Sequence, residues 1–210
     1  MLFTRRSILS IVGATAFTPG AAWAASSQST PEGVTPPTET QRSIGAPNAP
    51  VTVEEFFSLT CPHCGEFATT TMPKVKANFV DTGKVRFIYH DFPLDQIALK
   101  AAQVSRYLPV EEYYPFIEAL FASQNDWAFQ QGENYHARIF KYAALAGMDR
   151  ATYDKAWNDE GLAKWILAGQ QEAEKVDHID ATPTFIINGQ KHPGAMNYNT
   201  FAGLLVKAGG

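Results

Sequence analysis

The sequence predicts an α/β fold: two strands joined through a helix, a long all-helical stretch, then a hairpin and a final helix. Three observations predict it. "VTVEEFF" (51–57) and "KVRFIYH" (84–90) are β-branched and aromatic runs of strand length. Residues 95 to 176 switch to helical periodicity. "TFIINGQKHPGA" (184–195) places Asn188-Gly189 between two extended runs, the strongest two-residue hairpin signal.

The elements follow in order. "MLFTRRSILSIVGATAFTPGAAWA" (1–24) starts basic, continues apolar and ends in Ala22-Trp23-Ala24, the pattern of a cleaved secretory signal. Its "TRRSIL" partly matches the twin-arginine export motif. An uncleaved N-terminal anchor is the alternative. Residues 25–48 are rich in Ser, Thr, Pro and Gly, and read as a disordered linker. The strand at 51–57 runs into Cys61. "HCGEFATTTMPKVKANFV" (63–80) reads as helix, kinked where Pro73 removes a backbone donor, and Gly83 stops it.

Within the helical stretch, Ile97, Ala101, Val104 and Leu108 fall on one face. So do Tyr113, Phe116, Ile117, Leu120 and Phe121, which read as core, although aromatic side chains of this region could also line a groove for unfolded substrate. A helix near 134–146 ends at Gly147, Asp149 caps a short one, and "LAKWILAGQQEAEKV" (162–176) forms a longer one. "NYNTFAGLLVKA" (197–208) is the last, amphipathic helix.

Both cysteines of this 210-residue chain lie in "FFSLTCPHCGEF" (56–67). A disulfide between Cys61 and Cys64 closes too small a loop to be an effective staple. A closed zinc site needs four ligands, and no second cysteine pair exists; copper or zinc held by Cys61, Cys64 and His63 is the remaining metal alternative. Reversible sulfur chemistry fits better. The strand–turn–helix context puts Cys61 at a helix N-terminus with Pro62 in the first turn, where unpaired amides and the helix dipole stabilise a thiolate. His63 is expected to add charge or a donor. Cys61 is thus the expected nucleophile at an exposed sulfur, and Cys64 the buried resolving thiol. A stabilised thiolate makes an oxidising disulfide. No cofactor is expected beyond that redox-active pair.

"EEFFSLTCPHCGEF", the helical stretch, "TYDKAW" and "ATPTFIING", in that order, resemble the DsbA family of thiol–disulfide oxidoreductases. The resemblance spans about residues 45 to 208. It implies a thioredoxin-like fold over 49–94 and 177–210, interrupted by an α-helical insertion domain over 95–176. It implies that Pro62 and His63 tune the nucleophile Cys61, that Glu55 is a buried acid beneath the cysteines, and that Pro183 is a cis-proline beside them. Thr182 would then present its backbone to an extended substrate. The better-known family members carry Val before this proline, and Thr is more typical of reductase and isomerase relatives, so a disulfide reductase or isomerase is the alternative direction.

The implied partners are reduced or unfolded exported proteins and a membrane redox partner, the location is the periplasm, and a monomer is expected. Nucleic acid is not an expected partner: 17 Lys and Arg face 21 Asp and Glu, with no basic stripe. Glu55, in an apolar strand, is either a proton acceptor for Cys64 or a paired structural acid. His90, His136, His178 and His192 are scattered and read as structural.

Overall fold

The computed structural model describes residues 37–210 apart from 131 and 133; the expected signal segment and the first half of the expected linker, 25–36, lie outside the described residues. Along the chain run β1 (Arg42–Ile44), β2 (Val51–Phe57), α1 (Pro62–Glu66), α2 (Met72–Val75) and β3 (Val85–Asp91). The helical stretch comprises α3 (Gln96–Arg106), α4 (Val110–Ala122), α5 (Gln124–Trp127), α6 (Tyr135–Leu145), α7 (Arg150–Trp157) and α8 (Glu160–Val176). The chain then returns through β4 (Thr184–Ile187), β5 (Gln190–Pro193) and α9 (Tyr198–Lys207).

The sheet order is β1-β3-β2-β4-β5. Only β2 and β3 are parallel, as the α1–α2 crossover between them requires. Glu55 sits opposite Tyr89 on β3 and Phe185 on β4. Asn188 and Gly189 both have positive φ, 44° and 81°, as the two central residues of a type I′ turn must. Asn188 also ties the turn to β2, accepting from the Thr52 amide at 2.8 Å.

Pro73 does not break its helix. The turns on either side, Phe67–Thr71 and Lys76–Val80, widen to π-helical form, so the missing donor is absorbed as a wider turn rather than as a stop. The helix packs on the sheet through Phe67, whose ring lies 4.5 Å from Phe185 and 5.0 Å from Phe201 between centroids. Burying such a side chain is worth roughly 1.5–3 kcal/mol. The helical stretch starts its elements on side-chain caps: Asp95, Asp149 and Asp159 accept from the amides three residues on at 2.8, 2.8 and 2.9 Å. Its apolar face, including Tyr113, Phe116, Ile117, Leu120 and Phe121, joins the same buried cluster as the sheet.

One boundary needs correction. Residues 37–48 lie inside the range expected as linker, yet Pro37–Glu39 forms a 3₁₀ turn and Arg42–Ile44 is an edge strand on β3. Three residues are too short to show a period. Their order comes from distant partners instead: Arg42 is buried, donating to the Arg106 carbonyl at 2.7 Å and lying over the Tyr113 ring. Among the described residues, no helix is long and apolar enough to cross a membrane.

Candidate active site

Strand β2 delivers the chain to a tight loop, where the Ser58 carbonyl accepts from the Cys61 amide at 3.1 Å. Cys61 is the N-cap of α1, with extended backbone (φ −78°, ψ 121°) and Pro62 in the first turn. That leaves its sulfur beside the free amides of the helix start. The loop is pinned from both sides. The Thr60 hydroxyl donates to Asp95 at 2.6 Å, and Gln124 at the start of α5 donates to the Leu59 and Cys61 carbonyls, both at 2.9 Å.

Gln124 also explains Gly65. A Cβ at residue 65 would meet Gln124 Oε1 at 2.3 Å, in a place where the amide is held by two buried hydrogen bonds. Gly65→Ala is therefore expected to cost about 1–3 kcal/mol, the range for leaving buried partners unsatisfied. Urea melts of Gly65→Ala, Gln124→Ala and the double variant check this. The two losses should not add, since each removes the same pair of bonds.

The cysteines are unbonded, so the structure is the dithiol form. Cys61 is 4% exposed and Cys64 fully buried. The expected open sulfur is thus covered: the 182–183 segment lies over it, and the Cys61 thiol donates to the Thr182 carbonyl at 3.3 Å. The Thr182–Pro183 bond is cis, as the resemblance implied. The two thiols differ sharply. The Cys64 thiol donating to the Cys61 sulfur is the largest influence on Cys61; burial opposes it, while Thr182 and the amides of Cys64 and His63 support it, and the pKa falls to about 5. Burial first, then the donated bond and the charges of Glu55 and Cys61, push Cys64 well above the ordinary thiol value. Beneath them, burial and the Cys61 charge raise Glu55 to about 8.

His63 lies at the surface beside the pair. Its side chain is 74% exposed, with Nδ1 3.7 Å from Glu66. It acts on Cys61 through its backbone amide. The Thr182 hydroxyl is the better side-chain tuner, buried and without a partner while Cys61 keeps its proton. A hydrogen bond to a charged group is worth about 1.5–3 kcal/mol, so Thr182→Val is expected to raise the Cys61 pKa by about one to two units. Thiolate absorbance titration measures it, and an unshifted curve would leave the amides and Cys64 as the only tuners.

The other histidines lie in separate contacts: His90 bonds Glu54 at 2.9 Å and stacks on Phe56, and His136 pairs with Asp154 at 3.0 Å. Among the described residues, no group of three or more His, Cys, Asp or Glu side chains could hold a metal ion. A groove of about 670 Å³ opens beside α1, lined by His63, Glu66, Thr70, Lys74, Met196 and Tyr198. The aromatic residues of α4 lie in the core, not in this groove. Sequence reading missed Gln124 and Asp95, which hold the cysteine loop from 65 and 35 residues away. A lone Gln in "ASQND" carries no local signal of that role.

A family model described as thioredoxin matches residues 37–207. The chain belongs to the thioredoxin family. This thioredoxin-family protein is 31% identical to Wolbachia pipientis alpha-DsbA1, with a TM-score of 0.75 over 80% of this chain and 90% of that one. It is 26% identical to a structure named protein-disulfide isomerase from Novosphingobium aromaticivorans, with a TM-score of 0.69 over 81% and 98%. It is also 26% identical over 147 residues to a Rickettsia typhi protein whose name makes it a candidate protein-disulfide oxidoreductase. That match covers 70% of this chain and 54% of the relative, so the chain spans about half the length of the curated relative. Within the thioredoxin family, the likeness is to DsbA proteins, whose helical insertion corresponds to α3–α8.

Proposed function

We propose that this protein is a periplasmic thiol–disulfide oxidoreductase that introduces disulfides into exported proteins. The observation that carries the reading is the asymmetry of the pair: one thiol held low at a helix start, its neighbour held high and buried. In the disulfide form, a substrate thiolate attacks Cys61 Sγ. The Cys61–Cys64 bond breaks, Cys64 leaves, and a proton from Glu55 neutralises it. The second substrate thiolate then attacks the substrate sulfur of the mixed disulfide, and Cys61 departs as its stabilised thiolate. The substrate loses two electrons and the protein gains them. A membrane redox partner returns the dithiol to the disulfide. Thr182, with its carbonyl beside Cys61, offers backbone to an extended substrate, and the groove along α1 receives the flanking residues.

The test has two arms. Limiting alkylation of reduced protein at mildly acidic pH, followed by mass mapping, should label Cys61 almost alone; label mainly on Cys64 overturns the roles. Mixing oxidised protein with a reduced, unfolded multi-cysteine substrate should then transfer one disulfide per pair of thiols consumed. A second reading, isomerase or reductase, is favoured by Thr182 before Pro183 and by the name of the Novosphingobium relative. It predicts that reduced protein rescues a scrambled substrate while oxidised protein fails to oxidise a reduced one.

A further inference from the structure

The groove beside α1 carries its charges in a fixed order. Both of its walls start at the reactive pair. One wall is the helical run that begins at Cys61. The other is residues 194–199, tied to the segment over the sulfur by the Gly194 amide, which donates to the Pro183 carbonyl at 2.8 Å. Thr71 joins the walls, its buried side chain donating to the Met196 carbonyl at 2.8 Å. At the far end, Asn78 donates to the Tyr198 hydroxyl at 2.9 Å. The groove therefore leads away from the cysteines toward Tyr198.

Among the described lining residues, full charges come from Glu66 and Lys74. Glu66 stands little more than one helical turn from Cys61, and Lys74 two turns beyond it. Two α-turns take about 7.2 residues, and the wide turn at Phe67–Thr71 takes up the rest of the interval. Glu66, Thr70 and Lys74 thereby come to one side of the helix, and all three line the groove. Both charged side chains are exposed to a ligand. Glu66 has His63 Nδ1 at 3.7 Å, beyond hydrogen-bond length. Lys74 lies over the Tyr198 ring, 5.7 Å from its centroid. An acid thus stands near the sulfurs, and a base away from them.

We infer that this groove selects extended substrate segments with a basic residue close to the reacting cysteine and an acidic residue about four positions further out. The inference rests on the reading of the pair as an oxidant of substrate thiols. Its spacing follows from the two backbones. A helix advances about 1.5 Å per residue, so Glu66 and Lys74 are about 12 Å apart along the groove. An extended chain advances about 3.3 Å per residue and covers that span in about four. By the same measure, Cys61 to Glu66 is about 7.5 Å, or about two residues of extended chain. Side chains of an extended chain alternate between faces, so even intervals keep cysteine, base and acid on one side. The cysteine meets Cys61, the base Glu66 and the acid Lys74.

Reduction of the oxidised protein by two dithiol peptides of identical composition tests this. One carries lysine two positions from a cysteine and glutamate six positions from it; in the other the two charges trade places. Each is made in both chain directions, because the groove orders the charges outward from Cys61 and leaves chain polarity open. The lysine-first peptide should react about tenfold faster at low salt in its better direction, since its counterpart meets repulsion at both ends. Near 1 M salt the ratio should fall toward one, as exposed charges are screened. Exchanging the charges, Glu66→Lys with Lys74→Glu, should invert the preference. Should that protein fold poorly, Glu66→Gln and Lys74→Gln should each shrink the ratio. A ratio taken within one protein is blind to a general loss of activity, the effect of a merely structural role. Equal rates in wild type at low salt, faster reaction of the glutamate-first peptide, or a preference that survives the exchange overturns the charge order and leaves the oxidant reading intact. Oxidised protein that neither peptide reduces overturns that reading itself.

Discussion

Reduced protein is expected to gain stability over oxidised protein by nearly 1.4 kcal/mol for each pH unit above about 5, flattening toward pH ~8. The thiolate of Cys61 is stabilised only in the folded dithiol, whose pKa is depressed from an ordinary 9.0 to about 5. A depressed pKa adds stability above that folded value as pH rises and loses it on acidification through about 5. At pH 7 this amounts to about 2 kcal/mol once solvent screening is allowed for. Against it stands the cross-link, worth at most about 2 kcal/mol for a loop this small, and less wherever the bond is strained.

The two stability curves should therefore cross between acid and neutral pH, disulfide ahead below and dithiol ahead above. Glu55 acts with the opposite sign. Its pKa is raised from 4.5 to about 8, so its contribution is complete at acid pH and is lost as pH rises toward 8. That loss is common to both forms except for the part due to the Cys61 charge, and the dithiol's lead flattens above about pH 8 because the unfolded thiol then begins to ionise as well. Urea melts of both forms across this range measure the difference. Parallel curves with the disulfide ahead throughout would remove the thiolate argument and favour the reductase direction.

The parts of this molecule legible in its sequence are those decided within a few residues. Cys61 as N-cap with Pro62 behind it, the Asn188-Gly189 turn and the Asp149 cap each follow from a local conformational need, and all three stand in the structure. The four- and three-residue spacing likewise predicts faces that the structure buries, Ile97 only in part. What escaped was set by distant contacts. Strand β1 is three residues whose pairing energy comes from β3 and α3. Gln124 reaches the cysteine loop from a helix of four residues. The exposure of the His63 side chain beside Glu66 is likewise not fixed by residue type alone. Glu55 lies between: its strand and apolar neighbours were visible, but its proximity to Tyr89 and α4 depends on strand register and on the packing of the insertion.

Asp91→Asn is expected to destabilise the protein by about 3–5 kcal/mol, the penalty for stripping a buried ion pair of one partner. Asp91 and Arg106 are paired where both side chains are nearly inaccessible, 3% and 4% exposed. The Arg106 Nε donates to Asp91, and its Nη1 reaches the carbonyls of Thr38 and Thr40 at 3.3 and 3.1 Å, while Trp165 covers the guanidinium at 4.6 Å. Arg42 is buried next to it, so one carboxylate offsets two cations. Without the Asp91 charge, Arg42 and Arg106 repel each other in a poorly solvated space. The damage should be directed. Arg106 joins the edge strand, the end of β3 and α8, so amides of β1 should lose exchange protection first, and the 37–48 segment should become open to protease. Arg106→Met, which removes a cation and leaves a single pair of opposite charges, should cost less than Asp91→Asn in the same urea melts. If instead Asp91→Asn melts within about 1 kcal/mol of wild type, the cluster is solvated, and the order of β1 must come from its three backbone pairings with β3.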